Sequence, residues 1–95
     1  PKGPLASEAR FRLCTLDVEE ERPTSALACV RKYRRDFPSG ARTQESYFVE
    51  ATILRGALDD CRGAMLAYDR YLEQPGELRE QAQRWREVCA EKVGP

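Results

Sequence analysis

PTSALACVRKYRRDFP, residues 23–38, and CRGAMLAYDRYLEQP, residues 61–75, read as two versions of one helix. In the first, Ala26, Val30, Tyr33 and Phe37 recur at spacings of 4, 3 and 4, which draws a single apolar stripe along a helix of 3.6 residues per turn. Pro23 suits the first turn, where its missing N–H has no intrahelical partner, and Pro38, Ser39 and Gly40 stop the helix. The second carries Cys61, Ala64 or Met65, Tyr68 and Tyr71 or Leu72 on its stripe and runs from about Asp60 to Glu73. Asp59 and Asp60 offer it an N-cap and favourable charge, and Pro75 with Gly76 punctuates its end. A shift of 38 residues superimposes Ala26, Leu27, Cys29, Val30 and Tyr33 on Ala64, Met65, Ala67, Tyr68 and Tyr71.

Outward from these two helices the periodicity stays helical, and no alternating β-branched run reads as a strand. A helix is expected from about Leu5 to Glu20, with Ala9, Leu13 and Leu16 on the buried stripe and Cys14 beside it. Another is expected from about Ala41 to Leu58, burying Tyr47, Ala51, Leu54 and Leu58 with Phe48 alongside. A last one runs from about Glu77 to Glu91, with Leu78, Ala82, Trp85 and Cys89 in line. Connections of two to five residues make neighbouring helices antiparallel. The expected fold is all-α, with one hairpin over 5–38, a second over 41–73 and a closing helix over 77–91. At 95 residues this is a single domain, 1–95, too short for a second hydrophobic core.

The repeated unit resembles the tetratricopeptide repeat, whose first helix carries an aromatic, then Leu and Gly, then Tyr, and whose second carries Ala, an aromatic, Ala and Pro. Phe48, Ala51, Thr52, Ala64, Tyr68, Tyr71 and Pro75 fall on that pattern in the second unit. Leu13, Cys14, Ala26, Val30, Tyr33 and Pro38 do so in the first. Cys14 and Thr52 stand where the family has Gly, Asp17 and Arg55 where it has Tyr, and Pro75 comes one residue early. The likeness covers roughly residues 10 to 91 and extends to short modules of exported bacterial envelope proteins. It implies a closing helix that covers the last core face, and a peptide-binding concave face made by first helices. Arg10, Asp17, Thr52 and Arg55, just off the stripes of helices one and three, are the residues it nominates there.

Composition narrows the function. Sixteen basic and sixteen acidic residues cancel, so no net field gathers nucleic acid or anionic lipid. No run approaches 18 apolar residues, and Pro1 to Leu5 lack the charged-then-apolar pattern of a signal peptide, so no membrane insertion by this segment is expected. Histidine is absent, which removes the commonest general base and metal ligand together. A Ser or Cys nucleophile would then need a carboxylate, or Lys2, Lys32 or Lys92, as its base, and none of these sits in a recognisable motif. The run Glu19, Glu20 and Glu21 reads as a solvated helix end. Gly40, Gly56, Gly63, Gly76 and Gly94 stand apart and form no phosphate loop. An enzyme, a cofactor and a metal are all unexpected. The one basic patch is Arg31, Lys32, Arg34 and Arg35, where cations complement the helix dipole and could also meet an acidic partner.

Cys14, Cys29, Cys61 and Cys89 contain no CxxC, which argues against zinc. Cys14 and Cys29 lie about equally far from the first hairpin turn, and Pro75 stands fourteen residues after Cys61 and fourteen before Cys89. Residues equidistant from the turn of an antiparallel pair face one another. With axes roughly 8 Å apart and Cα atoms about 2.3 Å off axis, both pairs come within the roughly 4.4 to 6.8 Å that a disulfide needs. Bridges Cys14–Cys29 and Cys61–Cys89 are therefore expected, and with them an oxidising compartment, periplasmic or secreted. The competing reading keeps the cysteines as small buried hydrophobes of a cytoplasmic protein.

The functional expectation is a non-catalytic protein–protein interaction or scaffolding module that takes a protein or peptide partner, or assembles with itself. The alternative is a small secreted, disulfide-braced helical effector or a carrier of lipid or another small ligand. Starting at Pro1 without Met, the 95 residues read as cut from a longer chain or processed.

Overall fold

Pro23 opens its helix as its missing N–H allows, and in the computed structural model, which describes residues 4–94, that helix runs to Asp36. The described residues form five helices in order: α1 (Pro4–Glu19), α2 (Pro23–Asp36), α3 (Thr43–Arg55), α4 (Cys61–Tyr71) and α5 (Arg79–Val93). No strand occurs among the described residues, so the fold is all-α. Residues 1–3, Lys2 among them, and Pro95 belong to the expected domain but lie outside the described residues. Each helix packs chiefly on its neighbours in sequence, giving a row of 47 × 28 × 18 Å.

The 38-residue frame is built into the backbone. Among the described residues, Glu21 (φ 58°) and Asp59 (φ 50°), 38 apart, are the non-glycine residues with left-handed backbone, and each closes the turn of a hairpin. Tyr33 and Tyr71, also 38 apart, are buried and brace the next turn. The Tyr33 hydroxyl accepts from the Arg42 N–H at 3.1 Å, and the Tyr71 hydroxyl accepts from the Leu78 N–H at 2.9 Å. Glycine is required beside each phenol. A Cβ on Gly40 would stand 2.7 Å from the Tyr33 oxygen, and one on Gly76 would run into the Tyr71 oxygen.

Helix ends differ from the sequence expectation where the chain must turn. α3 begins at Thr43 rather than Ala41 because the Phe37 carbonyl takes the Gly40 N–H (3.1 Å) and the Thr43 hydroxyl (2.7 Å), winding the residues between into a turn. It ends at Arg55, short of Leu58, which leaves the core and is 37% exposed. The chain has to reverse before Cys61, and the Asp60 N–H reaches back to the Leu54 carbonyl at 2.6 Å to close that reversal. Asp60 then caps α4, accepting from the Gly63 N–H at 2.9 Å. α5 starts at Arg79 rather than Glu77, with Leu78 at its N-cap, because the residues before it wind into a turn in which the Arg79 N–H donates to the Gly76 carbonyl at 3.3 Å.

The largest correction concerns α1. Ala9 and Leu13 face solvent, Leu13 being 56% exposed, and Leu16 is half-buried. The buried face is Ser7, Phe11 and Cys14, roughly the opposite side of the helix. Three contacts turn it that way: Phe11 lies edge-on to Tyr33 with ring centroids 5.4 Å apart, Ser7 and Tyr33 share a buried hydrogen bond of 2.7 Å, and Cys14 is bonded to Cys29.

Buried side chains form two clusters, not the one core expected from length. One joins Phe11, Cys14, Val30, Tyr33 and Phe37 in the first hairpin. The other joins Ala51, Leu54, Cys61, Ala64, Ala67, Tyr68, Tyr71, Ala82 and Cys89 across α3, α4 and α5. They meet at the α2–α3 seam, where Leu27 packs on the second cluster and Val49 on the first. The cysteines are paired Cys14–Cys29 and Cys61–Cys89, with Cα separations of 5.3 and 5.0 Å. The first bridge lies within a hairpin, and the second ties α4 to α5.

Candidate functional site

First helices of antiparallel hairpins end on the same side of the row, and where α1 and α3 end together an apolar cleft of about 460 Å³ opens. Val18 and the start of α2 at Pro23 form one side; Ile53, Thr52 and Ala57 form the other. Val18 falls one turn beyond the buried Cys14 and is 38% exposed at the mouth, while Ile53 is buried at the base. The left-handed turn residue Glu21 also lines the cleft, as its one acidic residue.

Arg55 closes the cleft toward α5. Its Nε donates to the Tyr68 hydroxyl at 3.1 Å, and its guanidinium carbon stands 3.7 Å from the Trp85 ring centroid. One side chain thus clamps α3, α4 and α5, and a cation over an indole stabilises by about 1 kcal/mol or more. Arg55 lines the cleft with its guanidinium engaged by α4 and α5.

Of the residues nominated for the concave face, Thr52 and Arg55 meet here. Asp17, next to Val18, is turned toward α2, accepting from the Ser25 hydroxyl at 2.7 Å and pairing with Arg22 at 3.4 Å. Arg10 lies midway along α1, paired with Asp36 at 2.6 Å and 5.7 Å from the Phe37 ring centroid. The apolar lining residues Val18, Pro23, Ile53 and Ala57 were not among the nominated ones. Val18 lies off the α1 stripe that the sequence suggests, and Ile53 is masked by its neighbours Ala51 and Leu54, whose spacing defines the α3 stripe.

The basic patch divides. Arg34 is largely buried: it pairs with Glu50, donates to the Ser46 hydroxyl at 3.0 Å and stacks 4.0 Å from the Tyr47 ring centroid. Arg31 pairs with the same Glu50 at 3.0 Å. Glu50 is a buried carboxylate in the α2–α3 seam, so these two arginines neutralise it and join the hairpins. Lys32 and Arg35 are exposed on the outer side of α2.

Surface pairs elsewhere shift their partners' titration. The Arg42 guanidinium, held by Glu8 and then Glu45, is raised above its ordinary value, and Arg86 is raised by Asp69. The Asp59 carboxyl is lowered by its hydrogen bond and charge contact with Lys92. These pairs link α3 to α1, α5 to α4, and α5 to the α3–α4 turn, and none lines the cleft. Among the described residues no cluster of three acidic or sulfur ligands is placed to hold a metal ion, and no helix is long and apolar enough to cross a membrane. The cleft can exclude water from an apolar group and offer a carboxylate beside it. No family model, curated protein or solved structure matches the chain.

Proposed function

We propose that this chain is a non-catalytic protein-interaction module of tetratricopeptide-like type, working in an oxidising, extracytoplasmic setting, and that it takes a short peptide segment in the α1–α3 cleft. The observation that carries this reading is the cleft itself: about 460 Å³, apolar at Val18, Pro23, Ile53 and Ala57, with one acidic residue, Glu21, in its lining. That size falls within the roughly 300–1,000 Å³ of small binding pockets. The chemistry suits an apolar side chain followed or preceded by a basic residue, the first desolvated in the cleft and the second set against Glu21. Rigid walls favour binding because little ordering is left to be done, and Cys14–Cys29 fixes α1 while the Arg55 clamp fixes α3. Two bonded cysteine pairs support the compartment, since such bridges persist where thiols are not kept reduced.

A carrier of lipid or small ligand would enclose an apolar cavity, whereas the spaces between helices here are filled by Tyr33, Tyr68, Val30 and the small residues Ala26, Ala51, Ala64 and Ala82. The test is selection of binding peptides from a random library, followed by titration of the isotopically labelled protein and mapping of amide shifts. Shifts should centre on Val18, Thr52 and Ala57, and Val18→Glu should weaken binding at least about tenfold. Shifts centred on Lys32 and Arg35 would move the site to the basic outer face of α2 and overturn the cleft.

A further inference from the structure

The two ends of the helical row carry different surfaces. On α5 the outward positions include Gln83, Arg84, Glu87 and Glu91, with Val88 (45% exposed) as a single apolar residue among them. On α1 the outward stripe is Leu5 (85% exposed), Ala9, Leu13 (56% exposed) and half-buried Leu16, spaced 4, 4 and 3 along one face. Single exposed leucines such as Leu66 are ordinary, but a stripe of this length on an edge helix is an unpartnered packing face.

We propose that this face docks on the same face of a second copy, the two α1 helices lying antiparallel about a two-fold axis. The contrast between the ends selects this arrangement. Head-to-tail stacking would set Leu5 and Leu13 against the charges of α5, whereas an isologous contact sets leucine against leucine and closes after two copies. The register follows from the spacing. With the axis midway between Ala9 and Leu13, Ala9 lies over Leu13 of the second copy, and Leu5 falls within one residue of its Leu16. The small Ala9 leaves room for the longer side chain opposite.

Charge agrees with that register. Glu8 and Arg12 border the stripe on one side, and the same two-fold brings Glu8 to within two residues of Arg12 of the second copy, about 3 Å along the axis, a gap the long guanidinium arm spans. Both are exposed. Within one chain Glu8 holds Arg42 at 3.0 Å and Arg12 holds Glu19 at 2.9 Å. The Glu8 carboxylate has lone pairs left for a second guanidinium, and Arg12 gives up only a surface pair of small worth. A single helix pair is at the low end of interface size, so association is weak, with Kd between about 10 µM and about 1 mM.

Sedimentation of the oxidised 95-residue protein across about 5 µM to about 1 mM tests this. The weight-average mass should climb from 10.9 kDa toward twice that value. Leu13→Glu should hold it at 10.9 kDa throughout with an unchanged thermal melt, because Leu13 belongs to neither core cluster. Glu8→Arg and Arg12→Glu should each weaken association several-fold, and the two together should restore it. A wild-type mass fixed at 10.9 kDa up to the highest concentration overturns the proposal, whether the face then meets another polypeptide or nothing. So does an association that Leu13→Glu leaves intact. Failure of the charge exchange to restore pairing overturns the two-fold register.

Discussion

Hairpin α1–α2 and hairpin α3–α4 share a frame and differ in how they are fastened. Both turn through a left-handed acidic residue, Glu21 or Asp59, and both use a buried tyrosine, Tyr33 or Tyr71, to hold the next turn. The first is bonded within itself, Cys14 to Cys29, and the positions equivalent to these in the second are Thr52 and Ala67. The second hairpin sends its bridge outward from Cys61 to Cys89 on α5. A terminal helix has a neighbour on one side only, and each bridge fastens one of the two terminal helices. The lesson is that covalent bonds fasten the helices that have a single neighbour, and the interior seam α2–α3 is left to Glu50, Arg31 and Arg34.

Removing each bridge in turn should give the largest effects. Replacing Cys61 and Cys89 by Ala opens a loop of separation 28, and replacing Cys14 and Cys29 opens one of 15. By loop entropy these cost about 3.5 and about 3 kcal/mol, read as shifts in denaturant midpoint. Location matters more than size. Hydrogen exchange should speed up in α5 for the first variant and in α1 for the second. If either variant loses protection throughout, the two ends are not separately fastened and the comparison fails.

A smaller effect distinguishes the tyrosines. The Tyr33 hydroxyl serves two partners, Ser7 and the Arg42 N–H, and Ser7 is itself buried, while the Tyr71 hydroxyl serves the Leu78 N–H. Tyr33→Phe should cost about 2 kcal/mol and Tyr71→Phe about 1. Equal losses in thermal melts would show that Ser7 contributes nothing to the first hairpin and would remove that asymmetry.

The smallest effect is pH-dependent and belongs to the second turn. Lys92 lowers the Asp59 carboxyl, so the pair's contribution is complete above the ordinary aspartate range and is lost as pH falls through the lowered value. Asp59→Asn keeps a residue that tolerates the left-handed turn and removes the charge. Wild type should melt slightly higher than this variant at neutral pH, and the two should converge on acidification. A gap that persists at low pH would assign the difference to the turn instead of to the pair.

Much of this arrangement was legible in the sequence. The α2 stripe of Ala26, Val30, Tyr33 and Phe37 is buried as its spacing implies, because all four face the neighbouring helices and no competing apolar face exists on that helix. α1 misled because it has two apolar faces. The spacing of Ala9, Leu13 and Leu16 is as regular as that of Ser7, Phe11 and Cys14, and only the partners decide between them: the Tyr33 ring and the Cys29 sulfur. Leu58 misled for a different reason, since periodicity does not say where a chain must reverse. The cleft was half legible. Thr52 and Arg55 came from their place just off the α3 stripe, but Val18, Pro23 and Ala57 are brought together by the meeting of two helix ends, which no single helix encodes.

The contact of Arg55 with Trp85 has an optical consequence. Trp85 is the chain's one tryptophan, and it rests at the junction of α3 with α5, a guanidinium 3.7 Å from its ring centroid. Its fluorescence therefore acts as a local gauge, sensitive to the seating of the last helix and blind to the first. A melt followed by tryptophan emission and one followed by helical signal would be expected to coincide only if the row comes apart all at once.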